Sequence, residues 1–344
     1  MAGAGEQTEA GMTRTAREVV DEPVDDEVAR KPGGGCATAL LSLLTLAFLG
    51  WAALPIVELD VERYTVALTA LTPYAVVAGS VLVLLGSLLR RWLSVLFALL
   101  ATAALIYTVV PRVLPDQVAA EGEPLRVLSV NTYFGGADAA KIVEEVRGRR
   151  VDVLSLQELT PEVVAELDRA GLFAELPNRV LQPGPKADGT GIVSRYPLRE
   201  LALVPRTTLA QPSALVDVPV GRDVEFVAVH PLYPMGADTA KIWAHDLVAL
   251  PEPSLTGQPR VMAGDFNATL DHTRLKDLIG RGYLDAAATV GAGLTPTWPA
   301  GWTAPPVTID HVLSSGGVRA EDYEVIDIPG SDHRAVFTTL RVAG

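Results

Sequence analysis

Three long apolar stretches dominate the first third of the chain. They cover residues 36–57, 64–89 and 93–110, and none of them contains Asp, Glu, Lys or Arg. Each is close to the ~20 residues with which a helix crosses a bilayer. A cleaved signal peptide is the alternative for the first stretch, but a long polar segment precedes it and no small-residue cleavage site stands out before Val61. The pattern predicts three transmembrane helices within residues 36–110.

The segments on either side of these stretches are polar. Residues 1–35 are rich in Asp and Glu and end in three glycines, a composition that cannot bury a core and predicts a disordered cytoplasmic tail. Residues 111–124 are expected to form a short linker, which fully extended would reach only ~45 Å at ~3.3 Å per residue. The domain that follows is therefore expected to lie near the bilayer surface.

Charges beside the stretches predict the orientation of the chain. Arg90 and Arg91 separate the second stretch from the third, whereas acidic residues dominate between the first two. Lys and Arg next to spans are retained on the cytoplasmic side. The N-terminus is therefore expected in the cytoplasm and everything after Val110 on the extracytoplasmic side. Cys36 is the only cysteine, so no intramolecular disulfide can form.

From residue 125 to 344, short β-branched runs alternate with helical patterns. Strands are predicted at 125–130, 151–156, 191–194, 214–220, 224–229, 260–264, 307–314 and 335–342. Helices are predicted at 137–149, near 238–250 and at 272–279. Strands and helices in this mixed order predict a layered α/β domain with sheets buried between helices.

Polar side chains follow two of the predicted strands directly. Asn131 comes at the end of the first strand and Glu158 just after the second, where loops on a rigid sheet can assemble a site. A carboxylate and an amide oxygen are ligand types that Mg²⁺ prefers. A solvated pair of loop residues is the alternative for Gln157 and Glu158 taken alone.

The segment GDFNA places Asp265 and Asn267 two residues apart after a very apolar strand. At this spacing both side chains can point into one cleft. The carboxylate could take a proton from an attacking water or orient it, and the amide could hold that water or a phosphate oxygen. A simple Asx-turn is the alternative.

Three histidines lie beside carboxylates or follow a strand. Asp332 precedes His333, and Asp310 precedes His311, which we expect to be structural. A histidine held by a carboxylate keeps one tautomer and can stabilise charge that builds up on phosphate. His230 follows the strand at 224–229 and could contact phosphate or the leaving oxygen, although a lone histidine is often structural.

Together, these segments resemble the endonuclease/exonuclease/phosphatase (DNase I-like) superfamily. The resemblance covers residue 125 to the end of the chain, including RYPL at 195–198, the helix with Trp243 and Asp246, and TPTWPA at 295–300. It implies a four-layer α/β sandwich with two packed sheets. It also implies hydrolysis of a phosphoester by in-line attack of water, supported by Mg²⁺ or Mn²⁺.

The resemblance assigns a role to each candidate residue. Glu158 is similar to the principal metal ligand, with Asn131 and Asp332 close to the metal. The residues implied in catalysis are Asp265, which orients the water, Asn267 as its partner, His333 facing the phosphate, Asp310 holding His333, and His230 near the scissile phosphate. Thr190 departs from the pattern, because many members have Asn at this position.

Substrate class is indicated by charge and by the apolar stretches. The net charge is −13, which disfavours nucleic acid as a partner because DNA binding relies on Lys and Arg that neutralise phosphates. Spans followed by this domain also resemble VanJ-type bacterial proteins linked to glycopeptide resistance, which implies a lipid phosphate such as undecaprenyl pyrophosphate as the substrate. A membrane-anchored extracellular nuclease or phosphodiesterase is the alternative enzyme, and a catalytically silent binding module is the alternative from another class. The sequence predicts no oligomeric state.

Overall fold

The structure is a computed structural model that describes residues 34–253, 257–301 and 303–343. The expected disordered tail at residues 1–35 therefore falls almost wholly outside the described residues. The helices are α1 Gly34–Val57, α2 Arg63–Ala70, α3 Thr72–Leu88, α4 Trp92–Val109, α5 Ala139–Arg149, α6 Pro161–Ala170, α7 Leu172–Glu175, α8 Ala237–Val248, α9 Thr273–Gly280 and α10 Ala286–Thr289, with a 3-10 helix at Val110–Val113.

Thirteen strands follow the N-terminal helices within the described residues. They are β1 Glu123–Asn131, β2 Val153–Gln157, β3 Asn178–Gln182, β4 Thr190–Ser194, β5 Leu198–Leu201, β6 Ser213–Val216, β7 Val224–Val229, β8 Arg260–Asp265, β9 Leu284–Asp285, β10 Asp310–Ser315, β11 Arg319–Ala320, β12 Glu324–Asp327 and β13 Arg334–Val342. The helices predicted at 137–149, near 238–250 and at 272–279 are confirmed as α5, α8 and α9.

The strands form two sheets that pack face to face. One sheet has the order β11-β13-β1-β2-β4-β3, with β12 also paired to β13, and the other has the order β5-β6-β7-β8-β10-β9. The β1–β2 and β7–β8 pairs are parallel, and their neighbours run antiparallel. Between the sheets lies an apolar core that includes Val127, Val153, Phe226 and Val261.

Helices cover the outer face of each sheet. Ile142 and Val146 of α5, with Val163 and Leu167 of α6, pack on the first sheet. Trp243 of α8 is among the residues that pack on the second sheet. Helix, sheet, sheet and helix thus form four layers, and the predicted two-sheet α/β fold is confirmed.

The N-terminal helices only partly match the three predicted spans. Two helices are long and apolar enough to cross a membrane, Gly35–Val57 and Trp92–Val113. The middle stretch is instead two helices, α2 and α3, bent by 71° at Leu71. Pro73 lies in the first turn of α3, where its missing N–H costs nothing but where it cannot continue the preceding helix. The bent pair makes a third span only if it is counted as one unit.

The helix α2 packs on the α/β domain as well as on the other N-terminal helices. Val66 is buried in the same core cluster as Trp243 and Leu275. The Nε2 atom of His272 lies 3.0 Å from the carbonyl oxygen of Val66, and the Thr273 N–H donates to Asp60 Oδ2 at 2.7 Å. The apolar helices and the domain therefore share a packed junction.

Residues that follow α4 continue this junction. Arg112 donates to both carboxylate oxygens of Asp271, at 2.7 and 2.8 Å, and both side chains are buried. The carbonyl oxygen of Arg112 accepts from Gly293, and the Asp116 N–H donates to the carbonyl oxygen of Thr289. Part of the segment expected as a linker is thus bound to the domain by specific contacts.

Candidate active site

The parallel pair β1–β2 delivers the first two candidate side chains to one edge of the sandwich. Asn131 is the last residue of β1 and lies opposite Gln157, the last residue of β2. Glu158 follows directly. Because parallel strands end at the same edge, Asn131 and Glu158 become neighbours, and the Asn131 Nδ2 atom donates to Glu158 Oε1 at 3.3 Å.

The second parallel pair, β7–β8, brings two more side chains to the same edge. Val229 of β7 pairs with Gly264 of β8, so His230 and Asp265 follow side by side. Gly264 is needed for this approach, because a Cβ at that position would lie 2.0 Å from the carbonyl oxygen of Val229. The glycine of the GDFNA segment therefore allows β7 and β8 to pair closely.

Two strands that run antiparallel to these pairs contribute residues to the same edge, and these residues lie at or just before the N-terminal end of each strand. Asp310 is the first residue of β10 and lies opposite Asp265. His333 immediately precedes β13, which runs antiparallel to β1. An antiparallel strand begins where its neighbour ends, so residues ahead of β10 and β13 reach the ends of β8 and β1. Side chains from both sheets thus meet in one cleft.

The loop after β1 folds back over Glu158. Tyr133, Phe134 and Glu158 all have left-handed backbone conformations, with φ of 47°, 53° and 55°. The Phe134 N–H donates to Glu158 Oε2 at 2.9 Å, and the Tyr133 N–H donates to Asn131 Oδ1 at 3.0 Å. Such backbone conformations cost ~1–3 kcal/mol each and persist only where the surroundings fix them. Three such residues therefore lie at Glu158 and in the loop that holds it.

Asp265 has the most connected carboxylate of the cleft. Its Oδ1 atom accepts the Asn267 N–H at 2.7 Å, which is the Asx-turn considered from the sequence. Its Oδ2 atom accepts from Asn131 Nδ2 at 3.2 Å and from Asn267 Nδ2 at 3.4 Å. The turn therefore exists, and it leaves the second oxygen at the centre of the cleft.

His333 is held by Asp310. The His333 Nδ1 atom lies 3.0 Å from Asp310 Oδ2, and its Nε2 atom lies 3.7 Å from Asp265 Oδ2. Asp310 is fixed in turn, because its N–H donates to Thr297 Oγ1 at 3.1 Å. The Nε2 atom of His333 thus points towards the centre of the cleft.

His230, which follows β7, completes the group of polar side chains in the cleft. Its side chain is buried, and its Nε2 atom lies 4.0 Å from both Glu158 Oε1 and Asp265 Oδ2. Its backbone N–H donates to Gln211 Oε1 at 3.2 Å. The structure therefore brings the imidazole beside two carboxylates without a direct hydrogen bond to either.

The electrostatics of the cleft shift the pKa values of the two histidines in opposite directions. Burial by itself would lower the pKa of His333, but the charges of Asp310 and Asp265 act in the opposite direction and raise it to about 10. Burial lowers the pKa of His230 to about 3, and the charge of His333 adds to this effect. At neutral pH, His333 is a cation and His230 is neutral.

Burial also penalises the ionised carboxylates. It raises the pKa of Asp265 to about 7, an effect that Asp310 strengthens and His333 opposes. It raises the pKa of Glu158 as well, against the hydrogen bonds from Asn131 and Phe134. Two partly desolvated carboxylates in one cleft are the situation that a bound cation relieves.

The donor atoms fit a hard divalent cation. Ligand atoms of Asp265, Asp310 and His333 all lie within 4.8 Å of one another, and within this group Asp310 and His333 contact each other directly. Glu158 and Asp265 offer carboxylate oxygens of the kind that Mg²⁺ and Mn²⁺ prefer, and Asn131 turns its Nδ2 atom to both carboxylates. The carboxylate oxygens of the cleft therefore fit a hard divalent cation.

Asp332 lies beside this group without a direct bond to it. Its Oδ2 atom accepts from Trp298 Nε1 at 3.2 Å. Its charge acts on both Glu158 and His333, so it lies within electrostatic reach of the cleft. Thr190 is buried next to this edge, and its Oγ1 atom makes no hydrogen bond within the described part of the chain.

Some supporting residues were not identified from the sequence. Ser331 connects the end of β1 to the segment before β13, because its hydroxyl donates to the carbonyl oxygen of Asn131 at 2.8 Å and accepts the His333 N–H at 3.1 Å. Thr297 and Trp298 hold Asp310 and Asp332. Their segments were recognised, but only the tertiary structure shows that the Thr297 side chain accepts from the Asp310 N–H and that the Trp298 indole donates to the Asp332 carboxylate.

His311 is structural, as expected. Its Nδ1 atom lies 2.9 Å from Asp285 Oδ2, and its Nε2 atom lies 2.9 Å from the carbonyl oxygen of Ala268. Successive residues of a strand face opposite sides of the sheet. His311 therefore points away from the cleft that Asp310 lines.

Comparisons with known proteins agree with this fold. The structure is similar to an endonuclease/exonuclease/phosphatase from Beutenbergia cavernae, with 21% sequence identity and a TM-score of 0.55 over 64% of this chain and 72% of that one. It is also similar to a humanized TDP2 of D. rerio, with 18% identity and a TM-score of 0.50 over 64% of this chain and 99% of that one. No curated protein matches the sequence significantly.

The family model gives the assignment at the sequence level. The model of the Endonuclease/Exonuclease/phosphatase family matches residues 128–333, which is more than half of the chain. The match spans both sheets and contains every candidate site residue from Asn131 to His333. The chain belongs to the Endonuclease/Exonuclease/phosphatase family, whose members are phosphoester hydrolases.

Proposed function

We propose that the protein is a membrane-anchored, metal-dependent phosphoester or pyrophosphate hydrolase that acts on a lipid phosphate such as undecaprenyl pyrophosphate. The observation that carries this proposal is the packed junction between the apolar helices and the catalytic domain. Val66 is buried in the domain core, and Arg112 is paired with Asp271, six residues after Asp265. The apolar N-terminal helices and the catalytic cleft are thus parts of one packed unit.

The chain's own residues support hydrolysis by direct attack of water. Asp265 Oδ2 would accept a hydrogen bond from the attacking water and orient it, with Asn267 beside it. Positively charged His333 would donate from Nε2 to the phosphate oxygens as negative charge builds up there. Neutral His230 would contact the leaving oxygen from the other side of the cleft. No covalent intermediate is required.

The metal would be held mainly by Glu158, with Asn131 and Asp332 close to it. When bound, Mg²⁺ or Mn²⁺ supplies charge neutralisation on the phosphate and the leaving oxygen. The strained loop at Tyr133 and Phe134 keeps Glu158 in place for this role. Asp310 acts through His333, because it keeps that imidazole charged and oriented.

Three observations favour a lipid over nucleic acid. The net charge is −13, which opposes binding to a polyanion. The apolar helices would hold the cleft near lipid headgroups. The resemblance to VanJ-type proteins supports a polyprenyl pyrophosphate in particular. With the N-terminus in the cytoplasm and the middle pair of helices counted as one span, the cleft would lie at the outer face of the cytoplasmic membrane.

The substrate is tested with the full-length protein in vesicles. Phosphate release from undecaprenyl pyrophosphate is measured beside cleavage of sphingomyelin and plasmid DNA, with Mg²⁺ or EDTA, and with His333→Ala as the control variant. We expect metal-dependent release from the polyprenyl lipid that the variant lacks. Cleavage of DNA with both lipids untouched would instead establish the anchored nuclease. The full chain is used because α2 contributes Val66 to the domain core.

A further inference from the structure

A groove of about 470 Å³ lies where the N-terminal helices meet the catalytic domain. Pro73, Tyr74 and Val77 of α3 line one wall. Leu294 and Val307 are among the domain residues that line the other. Its size falls within the range of small-molecule sites, which is roughly 300–1,000 Å³.

The polar groups of this groove are already paired. Arg112 and Asp271 contribute to the lining, but they form a buried bidentate ion pair. The Tyr74 hydroxyl donates to the carbonyl oxygen of Pro306 at 2.9 Å. The groove therefore offers apolar surface and no unpaired charge among these residues, which suits a hydrocarbon rather than a polar ligand.

One wall of the groove leads to the active site. Val307 pairs with Trp298 through hydrogen bonds of 2.7 and 3.0 Å. The Trp298 indole donates to Asp332 Oδ2 at 3.2 Å, and its ring centroid lies 6.4 Å from that of His333. Val307 in the wall of the groove is thus linked through Trp298 to Asp332 and His333 of the catalytic cleft.

The opposite wall leads to the lipid-facing side of α3. Val77 is 63% exposed, and Val81 and Leu84, one and two turns further along the helix, are 47% and 59% exposed. A row of exposed apolar side chains along an apolar helix is typical of a surface that contacts a membrane or another protein. Because Val77 belongs to both surfaces, the groove is continuous with the face that lipid would cover.

We propose that this groove binds the hydrocarbon chain of the lipid substrate and leads its phosphate end past Trp298 into the catalytic cleft. The proposal rests on the proposed function and adds the site that would select a long apolar chain. The junction would then be a binding site formed jointly by α3 and the catalytic domain. Substrates without a long chain would reach the same catalytic residues without using the groove.

The first test fills the groove without touching the catalytic residues. In the full-length protein, Val77→Trp is compared with Val81→Trp, a matched substitution one turn away that does not line the groove. The substrates are a C55 polyprenyl pyrophosphate and a water-soluble C5 prenyl pyrophosphate. For Val77→Trp we expect about a tenfold lower kcat/KM on the C55 substrate, the equivalent of about two buried methylene groups, and little change on the C5 substrate.

Equal losses on both substrates, or equal effects of the two variants, would overturn the groove assignment. A second measurement does not depend on turnover. A C55 polyprenyl phosphate that carries a diazirine in its chain is crosslinked to the full-length protein in vesicles. Crosslinks at Leu294, Pro306 or Val307 are expected, whereas crosslinks confined to α1 and α4 would contradict the proposal. If no lipid pyrophosphate is hydrolysed, the proposed function fails, and the crosslinks still show whether the groove binds the hydrocarbon chain.

Discussion

At the scale of single residues, the cleft is organised around Asp265 Oδ2. Asn131, Asn267 and His333 approach this atom at 3.2, 3.4 and 3.7 Å. Burial alone would leave His333 neutral, so its charge depends on its carboxylate neighbours. Each histidine is tuned by what surrounds it: His333 is held as a cation, and His230 is held neutral.

The first prediction concerns Asp310. Asp310→Asn keeps the size of the side chain but removes the charge that raises the pKa of His333 to about 10. We expect that pKa to fall well below 10 and kcat/KM to drop by about 10²–10⁴-fold, the usual range for general acid-base groups and their positioning partners. The pH profile provides the check. In the wild type, the alkaline limb of the profile should lie near pH 10, and an unmoved alkaline limb in the variant would refute the role of Asp310.

The second prediction concerns His230 and stability. The folded protein keeps His230 neutral down to about pH 3, whereas the unfolded chain protonates it below about 6.5. The unfolded state therefore binds more protons, so the free energy of unfolding falls as pH decreases below 6.5, by up to ~1.4 kcal/mol per pH unit. His230→Gln should flatten that slope between pH 6 and 4 in chemical denaturation. Parallel slopes for the two proteins would contradict the lowered pKa.

At the scale of elements, the segment from Asp265 to α9 connects the active site to the apolar helices. Asp265 and Asn267 line the cleft. Asp271 pairs with Arg112, and His272 contacts the carbonyl oxygen of Val66. Lys276 in α9 donates to the carbonyl oxygen of Pro55 at 2.6 Å. The same short segment therefore carries catalytic and docking residues.

The third prediction tests this junction. Arg112→Met leaves Asp271 buried without its partner, because the Arg112 and Asp271 side chains are only 10% and 2% exposed. We expect a loss of about 3–5 kcal/mol in the free energy of unfolding, which the double variant Arg112→Met with Asp271→Leu should largely restore. Denaturation of the full-length proteins measures both. A double variant as unstable as the single one would show that the ion pair is not the cause.

Much of the domain was predictable from the sequence, because its strands and amphipathic helices are periodic and its polar site residues stand at strand ends. The break between α2 and α3 was not predictable, because an apolar stretch that contains Pro73 is compatible both with one continuous span and with two helices. Val66 is a further example: its apolar stretch predicts that it faces lipid, but it is buried in the domain core. Likewise, only the packing of distant segments shows that Thr297 holds Asp310.

At the scale of the whole molecule, two packed sheets build the cleft and the apolar helices set where it lies. A fourth prediction follows for membrane association. Because the apolar helices would anchor the protein and its net charge is −13, anchoring should not depend on electrostatics. The full-length protein should stay with vesicles through high salt and alkaline carbonate, whether the lipids are anionic or neutral. Release by salt would indicate a peripheral attachment instead.

The most direct measurement is phosphoester hydrolysis by full-length Glu158→Gln beside the wild type, across a Mg²⁺ titration. We expect the wild type to be active only with metal, and the variant to lose at least about 10²-fold in kcat at saturating Mg²⁺, since Glu158 would be the principal ligand and even partners of metal ligands are worth 10–100-fold. The variant should be at least as stable as the wild type without metal, because burial raises the pKa of Glu158 and makes its charge costly. A variant that keeps wild-type activity, or a wild type active in EDTA, would contradict a metal-dependent site centred on Glu158.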